Sequence, residues 1–183
     1  MGKFTFYETE LKGVFVIEPT VFGDSRGYFM ESYNEKDFKN AGFDYKFVQD
    51  NQSSSKRGVL RGLHFQKKYP QTKLVRVIKG EVFDVAVDLR KDSDTYGKWV
   101  GVLLTEENKK QLLIPKGFAH GFLVMSDYAE FVYKCDEFYH PEDEGGIIYN
   151  DPDVGIEWPT VENIILSDKD RKNPLLKDSQ VYF

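Results

Sequence analysis

Apolar and polar positions alternate with a period of two in many short runs of this chain. Such a period places successive side chains on opposite faces of a strand. The clearest run covers residues 81–89. Phe83, Val85, Val87 and Leu89 fall on one face, with Val82, Asp84, Ala86 and Asp88 on the other. One face then meets an apolar core, and the other meets something polar, either solvent or a cavity lining. Shorter strands are predicted at residues 14–19, closed by Pro19, and at 28–33, with Phe29, Glu31 and Tyr33 on one face. Others follow at 47–52, 60–66, 74–78, 99–104, 111–114, 121–124 and 130–134. Turn residues separate them at 22–27, Lys79-Gly80, Glu107-Asn108, Pro115-Lys116-Gly117 and Ser126-Asp127. Residues 53–57 read as a flexible polar loop. A short helix is predicted over 34–40, with Asn34 as its cap and Gly42 as its stop.

Many short strands at close spacing predict an antiparallel sandwich or barrel. The chain shows no strand–helix rhythm, which argues against a doubly wound α/β fold. Its 183 residues, with no repeat or linker, suit one domain spanning 1–183. The loop-rich stretch 141–183 must pack on the rest to be ordered.

Charge and composition narrow the partners. Net charge is −5, which offers no basic field for a nucleic-acid backbone. No apolar run approaches a membrane span, and residues 1–11 lack the apolar core of a signal peptide. Cys135 is the one cysteine, so no internal disulfide forms, which fits a reducing cytoplasm.

The chemistry centres on Gly58-Val59-Leu60-Arg61-Gly62-Leu63-His64-Phe65-Gln66. In an extended strand His64 shares a face with Gly62 and Gln66, so Gly62 leaves room beside the imidazole. Lys73 arrives at the next strand. Strict alternation sets Arg61 and His64 on opposite faces. Either Arg61 precedes the regular strand, or a bulge re-aims it. A lone strand histidine is more often structural, so the rest of the chain must decide. The three histidines, His64, His120 and His140, lack the local spacing of metal ligands, so a bound transition metal is not expected. Phosphate-binding Gly-rich loops and a Gly-x-Ser-x-Gly elbow are absent, and Cys135 has no obvious basic neighbour. His, Lys, Tyr, Asp and Arg remain, a set suited to proton transfer beside a carbonyl.

That central stretch resembles the signature of the dTDP-4-dehydrorhamnose 3,5-epimerases. So do Lys73-Leu74-Val75-Arg76-Val77, residues 80–88, and Ile114-Pro115-Lys116-Gly117-Phe118-Ala119-His120-Gly121-Phe122. Asp24-Ser25-Arg26-Gly27-Tyr28-Phe29-Met30-Glu31, Gln49-Asp50-Asn51 and Ser167-Asp168-Lys169-Asp170 agree as well. The resemblance covers nearly the whole chain. It implies an all-β, cupin-type jelly-roll β-barrel with a few short peripheral helices. It also implies a metal-free and cofactor-free isomerase, usually a homodimer, acting on a dTDP-linked 4-keto-6-deoxysugar. Tyr149 departs from the pattern, standing where many relatives carry tryptophan.

The resemblance further implies roles. His64 is the base at C3 and C5, oriented by Asp170. Lys73 faces the C4 oxygen, and Tyr133 returns a proton from the opposite face. Arg26, Arg61, His120 and Lys169 hold the nucleotide and diphosphate. Glu31, Gln49, Asp50, Asn51 and Glu144 make further contacts, and Phe22, Phe29 and Tyr139 offer packing surfaces. The expected product is dTDP-4-dehydro-L-rhamnose. The rivals are an epimerase of one centre only, a non-catalytic cupin that binds the nucleotide sugar, and a metal-dependent cupin isomerase.

Overall fold

The computed structural model describes residues 3–181 and 183. Thirteen strands carry it: β1 Phe4–Glu8, β2 Phe15–Pro19, β3 Val21–Asp24, β4 Gly27–Met30, β5 Gln49–Lys56, β6 Leu60–Gln66, β7 Lys73–Lys79, β8 Glu81–Asp88, β9 Trp99–Thr105, β10 Gln111–Ile114, β11 Phe118–Val124, β12 Tyr128–Cys135 and β13 Glu144–Gly146. Among the described residues one α-helix, α1, spans Glu35–Asn40. The strands form a six-stranded sheet (β1-β2-β10-β7-β12-β5) and a five-stranded sheet (β13-β6-β11-β8-β9), with β3 and β4 as a separate hairpin. All strand pairs are antiparallel. This is the all-β cupin-type jelly roll expected.

Three apolar clusters explain the layering. The first lies between the sheets, joining Val75, Leu112 and Phe131 to Val82, Ala86 and Phe122. The second covers the outer face of the five-stranded sheet. There Leu63, Val85 and Val87 meet Ile147, Val154, Leu176 and Val181 of the C-terminal stretch, which is thereby ordered. The third covers the outer face of the six-stranded sheet, where Phe38 of α1 packs edge-on to Phe4 and Phe6. The Asn34 side chain accepts from the Asp37 amide, as the predicted cap requires.

Three local expectations change. Residues 53–56 are not a loop but the second half of β5, paired with β12 from Ser53↔Phe131 to Lys56↔Tyr128. An edge strand needs few apolar residues, so its serines hid it. The strand expected at 28–33 stops at Met30; Phe29 stays exposed, while Tyr33 turns into the third cluster. Both faces of β8 are buried, and Asp84 points between the sheets rather than to solvent.

Candidate active site

A cavity of about 590 Å³ lies between the sheets. Asn51 of β5, Lys73 of β7 and Tyr133 of β12 wall it from the six-stranded sheet; Arg61 and His64 of β6 and His120 of β11 wall it from the five-stranded one. Segment 165–170 closes the rim with Lys169 and Asp170.

The backbone of β6 makes this possible. His120 pairs with His64, but Phe122 pairs with Arg61, so β6 carries one residue more than β11 over this span. That bulge turns Arg61 and His64 onto one face, and both reach the cavity. Gly62 sits in it with φ +115°, and a Cβ there would fall 2.7 Å from both Gly121 Cα and the His120 carbonyl oxygen. Gly62 is therefore needed for close backbone approach, not for the space beside the imidazole that alternation suggested.

Asp170 reaches His64 by a second backbone device. The Leu60 amide donates to the Ile165 carbonyl at 3.0 Å, and the Ile165 amide donates to the Gly58 carbonyl at 2.8 Å. A Cβ on Gly58 would strike the Asn163 carbonyl oxygen at 2.1 Å, so glycine permits the docking. From there a short 3-10 turn at Asp170–Lys172 delivers the carboxylate, and Asp170 Oδ1 lies 2.5 Å from His64 Nε2. Burial alone would raise the Asp170 carboxyl. The His64 hydrogen bond and charge, with the Gly62 amide, outweigh it and hold the group below its ordinary value. An ionised carboxylate at Nε2 makes that nitrogen the N–H and leaves the lone pair on Nδ1.

The facing wall is suited to donate and to stabilise negative charge. Burial pushes the Tyr133 phenol up to about 12, so it keeps its proton near neutrality. The Lys73 ammonium stands 5.8 Å from the Tyr133 ring centroid, and its burial lowers the ammonium below its ordinary value. The Cys135 thiol, buried nearby and pushed up to about 11, is inert as a nucleophile.

His120 has a partner that sequence reasoning did not assign to the site. Asp84 Oδ1 and Oδ2 lie 3.1 and 3.0 Å from His120 Nε2. Burial favours the neutral forms, raising the Asp84 carboxyl and lowering the His120 imidazole. The signal was present: an aspartate in phase with Val82 and Ala86, at an interior position of β8.

At the rim Tyr139 donates its hydroxyl to Glu144 Oε2 at 2.7 Å, and Lys169 hydrogen-bonds the same oxygen. Glu144 Oε1 lies 3.9 Å from His64 Nδ1. Gln49 donates to Asn51 Oδ1 at 3.0 Å and accepts from the Tyr139 amide at 3.0 Å, tying β5 to this rim. Asp50, one position along, faces the other way and pairs with Lys134 at 2.9 Å, as alternation demands.

Four further expected residues stand apart, as Asp50 does. Phe22, Arg26 and Phe29 lie on the β3–β4 hairpin around a separate surface hollow, where Arg26 pairs with Asp24 at 2.5 Å. Glu31, just after β4, bonds Lys3 and Asn34. Among the described residues, no group of three or more His, Cys, Asp or Glu side chains is placed to hold a metal ion. Nor is any helix there long and apolar enough to cross a membrane.

The sequence model of the dTDP-4-dehydrorhamnose 3,5-epimerases matches residues 8–178. This chain belongs to that family. An epimerase of that name from Methanothermobacter thermautotrophicus is 57% identical over 184 residues, covering 100% of both chains. The crystal structure of the Legionella pneumophila enzyme in complex with dTDP-4-keto-L-rhamnose superposes with a TM-score of 0.94 at 51% identity, over 96% of this chain and 94% of that one. A 3'-monoepimerase from Streptomyces bikiniensis, in complex with dTDP-quinovose, is more distant in sequence. Its TM-score is 0.88 at 34% identity, over 92% of this chain and 86% of that one.

Proposed function

We propose that this chain inverts C3 and C5 of dTDP-4-dehydro-6-deoxy-D-glucose, giving dTDP-4-dehydro-L-rhamnose. One observation carries the reading: His64, held by Asp170, and Tyr133 stand on opposing sheets across one cavity. A sugar ring between them meets a base on one face and an acid on the other. Abstraction on one side and delivery on the other inverts the carbon. The C4 ketone acidifies both neighbouring carbons, and the Lys73 ammonium stabilises charge growing on its oxygen. Arg61 and Lys169 at the cavity wall suit the diphosphate. No step here calls on a metal or an organic cofactor.

Incubation with the thymidine-linked keto sugar in deuterated water should place solvent deuterium at both C3 and C5. The likeness to a 3'-monoepimerase gives the second reading, inversion at one centre, and deuterium at one carbon only would select it. Tight binding with no exchange would instead select a non-catalytic binding protein.

We also infer a homodimer in which the β3–β4 hairpin serves the partner's cavity. Phe22 and Phe29 are 55% and 65% exposed on that hairpin, beside an arginine that suits a nucleotide diphosphate but lies outside this chain's cavity. Arg26→Ala and His64→Ala variants should each be deficient alone. Mixed and allowed to exchange subunits, they should regain about a quarter of the wild-type rate, because half the dimers then hold one intact site. No gain on mixing, or a monomer in sedimentation, would remove the hairpin from the site. The buried lone thiol of Cys135 supports placing the enzyme in the reducing cytoplasm.

A further inference from the structure

We infer that Glu144 is the proton relay that returns His64 to its basic form between inversions. The inference rests on the epimerase reading above and concerns its proton inventory. At each carbon the C–H bond breaks, its electron pair stays behind as the enolate, and the proton goes to His64 Nδ1. The Tyr133 O–H bond then breaks, its proton bonds to the opposite face of the carbon, and the oxygen keeps the electron pair. One inversion thus leaves an imidazolium and a phenolate. The second carbon, or the next substrate, needs both groups reset.

The two groups cannot reset each other, because they stand on opposing sheets with the sugar between them. Each must exchange with solvent water. For His64 the Nε2 side is closed. Asp170 there is only 4% exposed and is already engaged by His64 and the Gly62 amide. The Nδ1 side is different. Glu144 Oε1 lies 3.9 Å away, within reach of a small rotation of either side chain. Both donors to Glu144, the Tyr139 hydroxyl and the Lys169 ammonium, bond Oε2, which leaves Oε1 turned to the imidazole. Those donors lead outward, since Tyr139 is 51% exposed and the Lys169 side chain 58%. The path runs from Nδ1 to Oε1, and from the resulting carboxylic acid to water at the rim. Burial would raise the Glu144 carboxyl, but the bonds from Lys169 and Tyr139 hold it below its ordinary value. It therefore sheds a proton to water instead of storing it.

Glu144→Gln keeps the shape and an acceptor for Tyr139 and Lys169 but cannot carry the proton; Glu144→Asp keeps an acid. The measured quantity is deuterium entering unreacted keto sugar divided by product formed, in deuterated water. A fast relay lets His64 trade its abstracted proton for a deuteron before returning it. With Glu144→Gln that ratio should fall about tenfold, and added imidazole or formate at fixed pD and ionic strength should restore it. Glu144→Asp should retain most of the ratio without added buffer. An unchanged ratio in Glu144→Gln, or a lowered turnover that buffer does not rescue, would overturn the relay and leave Glu144 a binding residue. Absence of exchange in the wild-type protein would instead reject the epimerase reading itself.

Discussion

His64→Ala should exchange no measurable deuterium into the keto sugar and should lower kcat by about 10⁴-fold. The magnitude follows from what the side chain supplies. A positioned base contributes about 10²–10⁴. Here the position is fixed by a 2.5 Å hydrogen bond to Asp170, so removing His64 also strands the carboxylate that oriented it. The fold should survive. The neighbours that anchor β6, Leu63 and Phe65, pack in the second cluster and do not depend on the imidazole. Asp170 keeps the Gly62 amide as a partner. Binding of dTDP should be retained, because Arg61 and Lys169 remain at the cavity wall. Exchange above about 1% of the wild-type rate would reject His64 as the base, since such a residue would contribute less than the 10² expected of any positioned base.

How much of this site could be read from the chain depended on whether a residue obeyed its own strand. His64, Lys73 and Tyr133 lie in or beside strands whose runs are plain in the sequence, and the cavity holds all three even though a bulge interrupts β6 between Arg61 and His64. Asp170 is far from them in sequence, and nothing in its local pattern announces a partner. Two tight backbone contacts, at Gly58 and at Ile165, bring it back to β6. Arg61 contradicted alternation, and the contradiction was informative: it marked the bulge opposite His120 and Phe122. Asp84 was visible as a polar residue in phase with Val82 and Ala86, but a face buried between two sheets cannot be told from a solvated one by period alone. The hairpin residues Phe22, Arg26 and Phe29 are a different case. Phe29 lies in a strand and Arg26 in a turn as their local pattern predicts, Phe22 lies in a strand where a turn is predicted, and the cavity they are proposed to serve belongs to a second copy of the chain.

Tyr133→Phe should separate the two halves of the reaction. Product formation should fall by about 10²–10⁴, while deuterium exchange into unreacted substrate stays within about tenfold of the wild-type rate. The base pair is untouched by this change, so the carbon acid still loses its proton and the Lys73 ammonium still bears the enolate charge. What disappears is the acid on the opposite wall. The carbanion can then recover a proton only from the His64 side, which returns the original configuration and carries solvent deuterium with it. Packing should not confuse the result. Phenylalanine keeps the ring beneath the Lys73 ammonium and against Phe131, 6.0 Å away, and removes only the hydroxyl. The thermal midpoint should therefore move by no more than a few degrees, as for a change within about 1 kcal/mol. The opposed-wall geometry is thereby put at risk in both directions. A variant that inverts at the wild-type rate would mean that water or another group delivers the second proton. A variant that loses exchange together with inversion would mean that Tyr133 acts on abstraction, on the same face as His64, against its position on the facing sheet.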